Sequence, residues 1–137
     1  MSGIEELIRT ESDGSISFGN YDLSEKSKKS DFPHQGDLYK VKTFREITKL
    51  ERNDMFVYES VPGTVVTSLA YYEDGIGFTV EGQKDTQITV EGEPDTEYEI
   101  CIDEKNIGSE KTSLGGKLSF SVDLSDGRKA GVRIYKK

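Results

Sequence analysis

From residue 38 onward, short runs of β-branched and aromatic residues alternate with turn residues about every 8–12 positions, a spacing typical of strands in a sandwich or barrel. The separators are rich in Gly, Pro, Asn and Asp, which adopt the backbone conformations that tight turns need. The strands predicted on this basis are 38–44, 47–51, 55–61, 65–71, 76–81, 86–91, 98–103, 117–124 and 131–136.

Within most of these runs, apolar residues alternate with polar ones such as Thr79, Glu99 and Ser119. One buried and one wet face is the pattern of an antiparallel sheet. We therefore predict an all-β protein, an antiparallel β-sandwich of immunoglobulin-like type with at most one short helix. Its predicted core is Phe78, Val80, Ile88, Val90, Tyr98, Ile100, Ile102, Leu118, Phe120, Val122, Val132 and Ile134.

Residues 44–51 fit either a helix or a strand. A capping-box pattern at 43–46 precedes apolar residues that share one helix face. We predict a strand over 47–51, because Asn53 and Asp54 tolerate positive φ and suit a tight hairpin to the next run.

Residues 1–37 lack a strong period, and we predict an irregular N-terminal arm with one short helix and one strand. Ser2 and Glu5 fit a capping box that would start the helix. The strand is predicted at 15–18, and the polar stretch 24–30 is predicted to be a solvated loop.

The 137 residues suit one domain that buries a core without a disulfide or a metal. We assign 38–137 to the sandwich, with 64–137 as an alternative immunoglobulin-like subdomain. We expect no cofactor.

The formal net charge is −8, and residues 51–137 carry nearly all of the acidic excess. Nucleic-acid affinity depends on Lys and Arg side chains that displace counterions from phosphates, and an acidic surface offers few of them. The negative charge of anionic lipid head groups also repels an acidic surface. We therefore expect neither a nucleic acid nor a membrane surface as partner.

No apolar stretch is long enough for a transmembrane helix, and the N-terminus lacks the basic and apolar regions of a signal peptide. We expect a cytoplasmic protein, although a chain trimmed of its signal would have the same sequence.

No residue pattern predicts a catalytic site. His34 is the one histidine and stands beside a proline, which is typical of a loop. Cys101 is the one cysteine and shares a strand face with Glu99 and Asp103. Negative neighbours disfavour its thiolate, so we do not expect a reactive thiol.

Metal sites are also not predicted. One His and one Cys cannot form the usual zinc site. The acidic clusters at 103–104 and 123–127 lack the spacing of a calcium-binding EF-hand loop. A chain with 26 acidic residues always contains some pair at the spacing of a glycosidase, so their number alone predicts no hydrolase.

Exposed tyrosines are the candidates for ligand contact. Tyr71 and Tyr72 precede a turn, and Tyr58 lies in an earlier predicted strand. Tyrosine rings can stack on a sugar, although consecutive residues of a strand point to opposite faces, so only one ring of the pair would be available.

Four segments carry a resemblance that extends over most of the chain: 14–19 (GSISFG), 36–43 (GDLYKVKT), 48–53 (TKLERN) and 55–64 (MFVYESVPGT). With these segments the chain resembles a family of short bacterial proteins that are often labelled endosialidase. The resemblance implies a family relationship, and it adds a glycoside hydrolase to the functional alternatives.

A second resemblance is local to the C-terminal half and lies in the segments 88–92 (ITVEG), 96–103 (TEYEICID), 106–108 (NIG) and 116–122 (GKLSFSV). These segments resemble bacterial immunoglobulin-like and fibronectin type III-like sandwich modules. Those modules mostly bind, space or assemble, which is what the resemblance implies here. The chain lacks the Trp and the disulfide expected of them.

These observations favour a non-enzymatic β-sandwich protein that acts by protein–protein contact, including self-association. Sheet edges must be paired or protected, and the N-terminal arm could pair with a neighbour. A carbohydrate-binding module that uses Tyr71 or Tyr72 is the alternative.

Overall fold

Thirteen β-strands make up most of the computed structural model, which describes residues 3–137 apart from the side chain of Asp126. This range contains no α-helix, and its one helical turn is a 3-10 turn, Ser125–Gly127. The strands are β1 Gly3–Thr10, β2 Ile16–Asn20, β3 Ser27–His34, β4 Asp37–Phe44, β5 Ile47–Arg52, β6 Met55–Val61, β7 Val65–Tyr72, β8 Gly75–Glu81, β9 Thr86–Glu91, β10 Glu97–Ile102, β11 Lys105–Lys111, β12 Lys117–Val122 and β13 Lys129–Lys136.

The strands form two antiparallel sheets that pack face to face. The first sheet has the order β1-β2-β7-β8-β13-β10-β11, and the second has the order β12-β9-β6-β5-β4-β3. Every strand pair is antiparallel. The prediction of an all-β antiparallel sandwich is therefore confirmed.

Two-residue turns set the register of several hairpins. Asn53 and Asp54 join β5 to β6 with φ values of 51° and 66°. The ambiguous segment 44–51 is thus the end of β4, a turn and the strand β5, as predicted. Asp103 and Glu104 join β10 to β11 with φ values of 52° and 69°. Two positive φ values match the right-handed twist of the flanking strands.

The core lies between the sheets and agrees with the predicted alternation. All twelve predicted core residues are buried except Ile102, which is half-buried against the same cluster. The ring of Tyr58 lies edge-on to Phe18 at 5.3 Å and to Phe78 at 5.7 Å between ring centroids. Edge-to-face packing of this kind stabilises beyond simple area burial.

The helix predicted for the first residues is wrong. Ser2 lies outside the described residues, but Ile4 and Ile8 are buried in the strand β1. A spacing of four fits a strand as well as a helix, because it is a multiple of two. A single helical turn is unstable alone, whereas β1 gains backbone hydrogen bonds from β2.

The first 37 residues hold three strands rather than the one predicted. β1 and β2 extend the first sheet, and β3, which begins inside the predicted loop, forms an edge of the second. Strand β11 was also not predicted. β3 and β11 are mostly exposed edge strands, so their sequences carry no apolar alternation.

A hydroxyl network fills the polar part of the interior. Thr64 Oγ1 lies 2.9 Å from the Tyr58 hydroxyl and 2.8 Å from Ser60 Oγ. Thr48 Oγ1 donates to the Thr64 carbonyl at 2.9 Å and accepts from the Thr64 N–H at 3.0 Å. Because the Thr48 hydroxyl has already donated its proton to that carbonyl, the Thr43 hydroxyl, 2.8 Å away, is the donor in the bond between the two threonines. The network satisfies its buried polar atoms within the chain.

Candidate functional site

Two of the predicted tyrosines lie at one end of the sandwich, which we call the tyrosine end. Tyr71 and Tyr72 are the last residues of β7, and Arg52 is the last residue of β5 in the opposite sheet. Tyr71 is 43% exposed and Tyr72 is 54% exposed. Their exposure makes both rings accessible to a ligand, although the two rings have different surroundings.

Tyr71 packs toward the other sheet. Its ring centroid lies 5.4 Å from the guanidinium carbon of Arg52, which also hydrogen-bonds the hydroxyl of Tyr39. Loss of water raises the pKa of Tyr71 to about 12, against the lowering effect of the Arg52 charge. Arg52 has no carboxylate within ion-pair distance among the described residues, so its charge remains available at the surface.

Tyr72 packs on its own sheet. The guanidinium carbon of Arg133 lies 4.6 Å from its ring centroid. Arg133 is fixed there because it donates to Asp74 Oδ1 at 2.7 Å and to the Ile134 carbonyl at 3.0 Å. Gly77 makes room for this packing, since a Cβ there would lie 3.1 Å from the ring. One ring face is therefore already occupied by an arginine.

Two clefts meet at Arg52, Tyr71 and Tyr72. The first, of about 200 Å³, has an apolar floor that includes Val90 and Leu118 and a rim that includes Lys136. The second is about 380 Å³ and is lined in addition by Asp13, His34, Asp37, Tyr39 and Leu69. An apolar floor with a few polar groups at the rim is the usual form of a small-ligand site.

The rim of the first cleft carries charged side chains, two of which form an ion pair with one another. Lys136 contacts the carboxylate of Glu93, and this contact raises the pKa of Lys136. The Tyr98 hydroxyl accepts from the Glu93 N–H at 2.8 Å and so holds that loop against the floor. Arg52 is thus the one rim cation of this cleft without an ion pair among the described residues.

The third predicted contact residue, Tyr58, is not part of a site. Its side chain is fully buried between the sheets and its hydroxyl belongs to the hydroxyl network. A strand pattern shows which residues share a face but not which strands are covered by the opposite sheet. The ring of Tyr58 therefore presents no exposed surface on which a ligand could stack.

His34 has a defined place in the structure. It ends β3, is buried, and its Nδ1 lies 2.9 Å from Thr10 Oγ1. Its ring packs edge-on against Tyr39 at 5.6 Å. The loop predicted for it is thus a strand end, and the ring holds β1 and β4 together beside the second cleft.

Cys101 lies on the outer face of β10, as its position beside Ile100 predicted. Its Sγ is 3.7 Å from the Tyr135 hydroxyl. Contacts with Cys101 and Glu99 raise the pKa of Tyr135 to about 12. The group is a partly covered surface cluster and lines neither cleft at the tyrosine end.

Asp85 and Asp123 form the one close carboxylate pair whose pKa values are pushed apart among the described residues. Hydrogen bonds from Ser125 and Asp85 lower the pKa of Asp123 to about 2, and Asp123 raises that of Asp85. Both carboxyls are exposed and line neither cleft at the tyrosine end. No three His, Cys, Asp or Glu side chains are placed to hold a metal ion in the described part of the chain.

The edges of the two sheets differ in how well they are protected. Three of the four edge strands pair irregularly, with register breaks near Leu7 in β1, Asp31 in β3 and Gly108 in β11. β3 also contains Pro33. Breaks, prolines and charges are the usual devices that keep edges from pairing with other chains.

β12 has no register break and no proline, and it carries a single charged residue. Its register with β9 is unbroken from Lys117 to Val122, and Lys117 is its one charged residue. Among the described strands only β9 pairs with it. β12 is therefore the open edge of this sandwich.

The hydrogen-bond pattern identifies the free groups of that edge. The Gly92 N–H donates to the Gly116 carbonyl at 2.7 Å, and antiparallel pairs alternate between bonded and non-bonded. Ser119 and Ser121 therefore point their N–H and C=O groups away from β9. Lys117 points the same way, but its carbonyl and N–H are bonded to Ser113 at 3.4 and 3.3 Å.

No helix in the described residues has the length and apolar character needed to cross a membrane. Comparison of the chain with known protein families, with curated proteins and with solved structures finds no match in any of the three.

Proposed function

We propose that this is a non-enzymatic β-sandwich protein that acts by protein–protein contact, with the open edge of β12 as its contact site. The observation that carries the proposal is the unbroken β12 register beside three interrupted edges. Ser119 and Ser121 offer two N–H and two C=O groups to an added strand. Strand addition to an open edge is a common mode of protein recognition, in which main-chain hydrogen bonds provide the affinity.

Two further features support a binding role. Apart from Lys117 at its first position, the side chains of β12 that face the solvent are serines, so a neighbouring strand can approach the rest of the edge without steric conflict. The immunoglobulin-like and fibronectin type III-like resemblance of residues 88–122 also favours binding or assembly, because modules of those families mostly do one or the other.

A photo-reactive phenylalanine analogue at position 121 tests the proposal in living cells. We expect a discrete cross-linked protein on illumination, because the outer face of residue 121 borders the added strand. The control carries the same analogue at position 79, in the middle of the first sheet. Adding Ser119→Pro should abolish the adduct, since proline removes an outward N–H and leaves the bonds to β9 intact.

Absence of an adduct at position 121 above the level at position 79 would contradict the proposal. So would an adduct that persists at full yield with Ser119→Pro. Ser119→Ala is the matched control, because it keeps the outward N–H and should keep the adduct. Circular dichroism of the purified variants verifies that each retains the sandwich.

A carbohydrate-binding module is the second candidate, and the tyrosine end favours it. Tyr71 presents an exposed ring between two clefts, next to the unpaired guanidinium of Arg52. A ring that stacks on the apolar face of a sugar, with a guanidinium that donates to its hydroxyls, is a common way to bind one.

Titration with a panel of glycans separates the two candidates. If the tyrosine end binds sugar, Tyr71→Ala should weaken the best glycan by at least about tenfold, the effect of roughly 1.4 kcal/mol. Tyr135→Ala is the matched control, because Tyr135 lines neither cleft. A panel without any response removes the carbohydrate candidate and leaves the β12 contact unaffected.

A further inference from the structure

We infer that the strand added to β12 is the β12 of a second copy of this chain, with a twofold axis at Phe120. This inference rests on the proposed function, and it specifies the partner. The two second sheets would then join into one continuous sheet across the dimer. The partner is argued from the register, from the free backbone groups and from the charges at the two ends of the strand.

Side-chain alternation limits the registers that two β12 strands can adopt. Leu118, Phe120 and Val122 face the core, whereas Ser119 and Ser121 face the solvent. Directly opposite residues of an antiparallel pair point their side chains to the same face of the sheet. The core faces of the two copies therefore join, and the solvent faces join, only if the twofold axis passes through a residue and not between two residues. A serine of one strand lies opposite a serine of the other only if the axis lies at residue 119, 120 or 121.

The free backbone groups select the axis at Phe120. In that register Ser119 lies opposite the partner's Ser121, and Ser121 lies opposite the partner's Ser119. Every outward N–H and C=O of both serines is then paired. An axis at Ser119 would place Ser121 opposite Lys117, whose groups are already bonded to Ser113. An axis at Ser121 would place Ser119 opposite residue 123, beyond the end of β12 at Val122.

The charges at the ends of β12 fit the same register. It places Lys117 opposite the partner's Asp123 at both ends of the pair. Lys117 has no carboxylate within ion-pair distance among the described residues of its own chain, and its Nζ lies over the Phe56 ring at 4.6 Å. Asp123 is exposed, and its one basic neighbour in ion-pair range among the described residues is Arg128 at 3.9 Å. Opposite charges across antiparallel strands stabilise the pair.

Net charge opposes association, because each copy carries −8. Dimerisation should therefore be measured at about 0.15 M salt, where the screening length is about 8 Å and charges farther apart than this no longer repel strongly. Hydrogen bonds along the edge and the close Lys117–Asp123 pairs are much less affected at their short range.

Cysteine cross-linking tests the register directly. In a Cys101→Ala background, we expect chains with Ser119→Cys to form a disulfide with chains that carry Ser121→Cys. Neither variant should cross-link with itself. Opposite residues that exchange hydrogen bonds have Cα atoms about 5.5 Å apart, a separation that a disulfide can bridge.

Self-cross-linking of Ser119→Cys alone or Ser121→Cys alone would overturn the register, because it would place the axis at that residue. Absence of a cross-link in the mixture at concentrations where the background protein is dimeric would overturn it as well. A background protein that stays monomeric at millimolar concentration by light scattering would overturn the choice of partner.

A charge exchange gives an independent measurement. Lys117→Asp or Asp123→Lys alone should weaken dimerisation about three- to tenfold, because like charges then face each other. The variant with both substitutions should recover the dimerisation constant of the natural chain. Equal dimerisation of all four proteins would contradict the charge pairing.

Failure of this inference is distinguishable from failure of the proposed function. An adduct at position 121 that contains a different protein would retain β12 as a contact site and overturn the second copy as partner. Absence of any cross-linked adduct at position 121 would contradict both the proposed function and the second copy as partner.

Discussion

Buried hydroxyl groups form hydrogen bonds with one another in the interior of this protein. Thr64 is fully buried, and its hydroxyl hydrogen-bonds to those of Tyr58 and Ser60. Its carbonyl accepts a hydrogen bond from the Thr48 hydroxyl. Threonine and serine occur at strand positions on both faces, so their spacing gives no sign of this role. A buried hydroxyl is tolerated because each of its partners lies within the same network.

Replacing Thr64 by Val should destabilise the fold strongly. Valine keeps the shape and leaves two buried hydroxyls with one partner fewer, each at a cost of about 1–3 kcal/mol. Urea denaturation should show a loss of about 2–6 kcal/mol in the free energy of unfolding. Thr64→Ser keeps the hydroxyl and should lose much less. Equal losses for the two variants would mean that the methyl group, not the network, is important.

Tyrosine ionisation should limit stability at high pH. Complete burial raises the pKa of Tyr58 well above its ordinary value, and partial loss of water around the Tyr71 ring raises the pKa of Tyr71 to about 12. A raised pKa in the folded state gives stability that is complete below the unfolded value near 10 and is lost as pH rises toward 12.

Urea denaturation at pH 8 and pH 11 measures this loss. Tyr58→Phe should be less stable than the natural chain by about 1 kcal/mol at pH 8, because it loses a hydrogen bond. Its stability should nevertheless fall less between the two pH values. A fall as large as in the natural chain would exclude Tyr58 as the titrating group.

Hairpin turns show how local sequence fixes an element. Asn53-Asp54 and Asp103-Glu104 both place two consecutive residues at positive φ. Asn and Asp tolerate this conformation because their side chains bond to nearby backbone, whereas Glu is strained there. Asp103 also accepts from the Gly131 N–H at 2.9 Å, so the turn is fastened to β13.

Glu104→Gly should therefore stabilise the β10–β11 hairpin. Relief of the left-handed conformation is worth about 1 kcal/mol, and Glu104 is exposed, so its loss costs little packing. Thermal unfolding should shift upward. Glu110→Gly, in the extended part of β11, is the matched control and should lower stability. A lower melting temperature for Glu104→Gly would contradict the turn argument.

The edge strands β3 and β11 were not predicted from the sequence. β11 is exposed along its whole length, and β3 along most of its length. Apolar alternation arises where one face is buried, so a strand without a buried face leaves no period in the sequence. Their existence follows from the neighbours β10 and β4, which offer free backbone groups to them.

At the scale of the whole molecule, the N-terminal segment is part of the sandwich. Phe18 and Ile16 are buried in the main core, and β3 closes the second sheet. Each such side chain stabilises by about 1.5–3 kcal/mol when buried. A domain of this size has a total stability of only about 5–15 kcal/mol.

A fragment of residues 38–137 should therefore not fold alone. Without β1, β2 and β3 it loses strands from both sheets and exposes the core beside Tyr58. Near-ultraviolet circular dichroism and urea denaturation should show no cooperative native state. The full chain lacking only Lys137 is the control. A cooperative transition of the fragment would establish 38–137 as an independent domain.

The fold class, the nine regular strands from residue 38 and the predicted core could be derived from the sequence, because alternation and turn chemistry are local properties. The other features depend on how the two sheets pack. This packing placed Tyr58 inside and Tyr71 outside, turned the N-terminal segment into three strands, and left β12 as the open edge. Covering of one sheet by the other depends on residues far apart in the chain. For that reason no local pattern could distinguish a buried ring from an exposed one, or a paired edge from a free one.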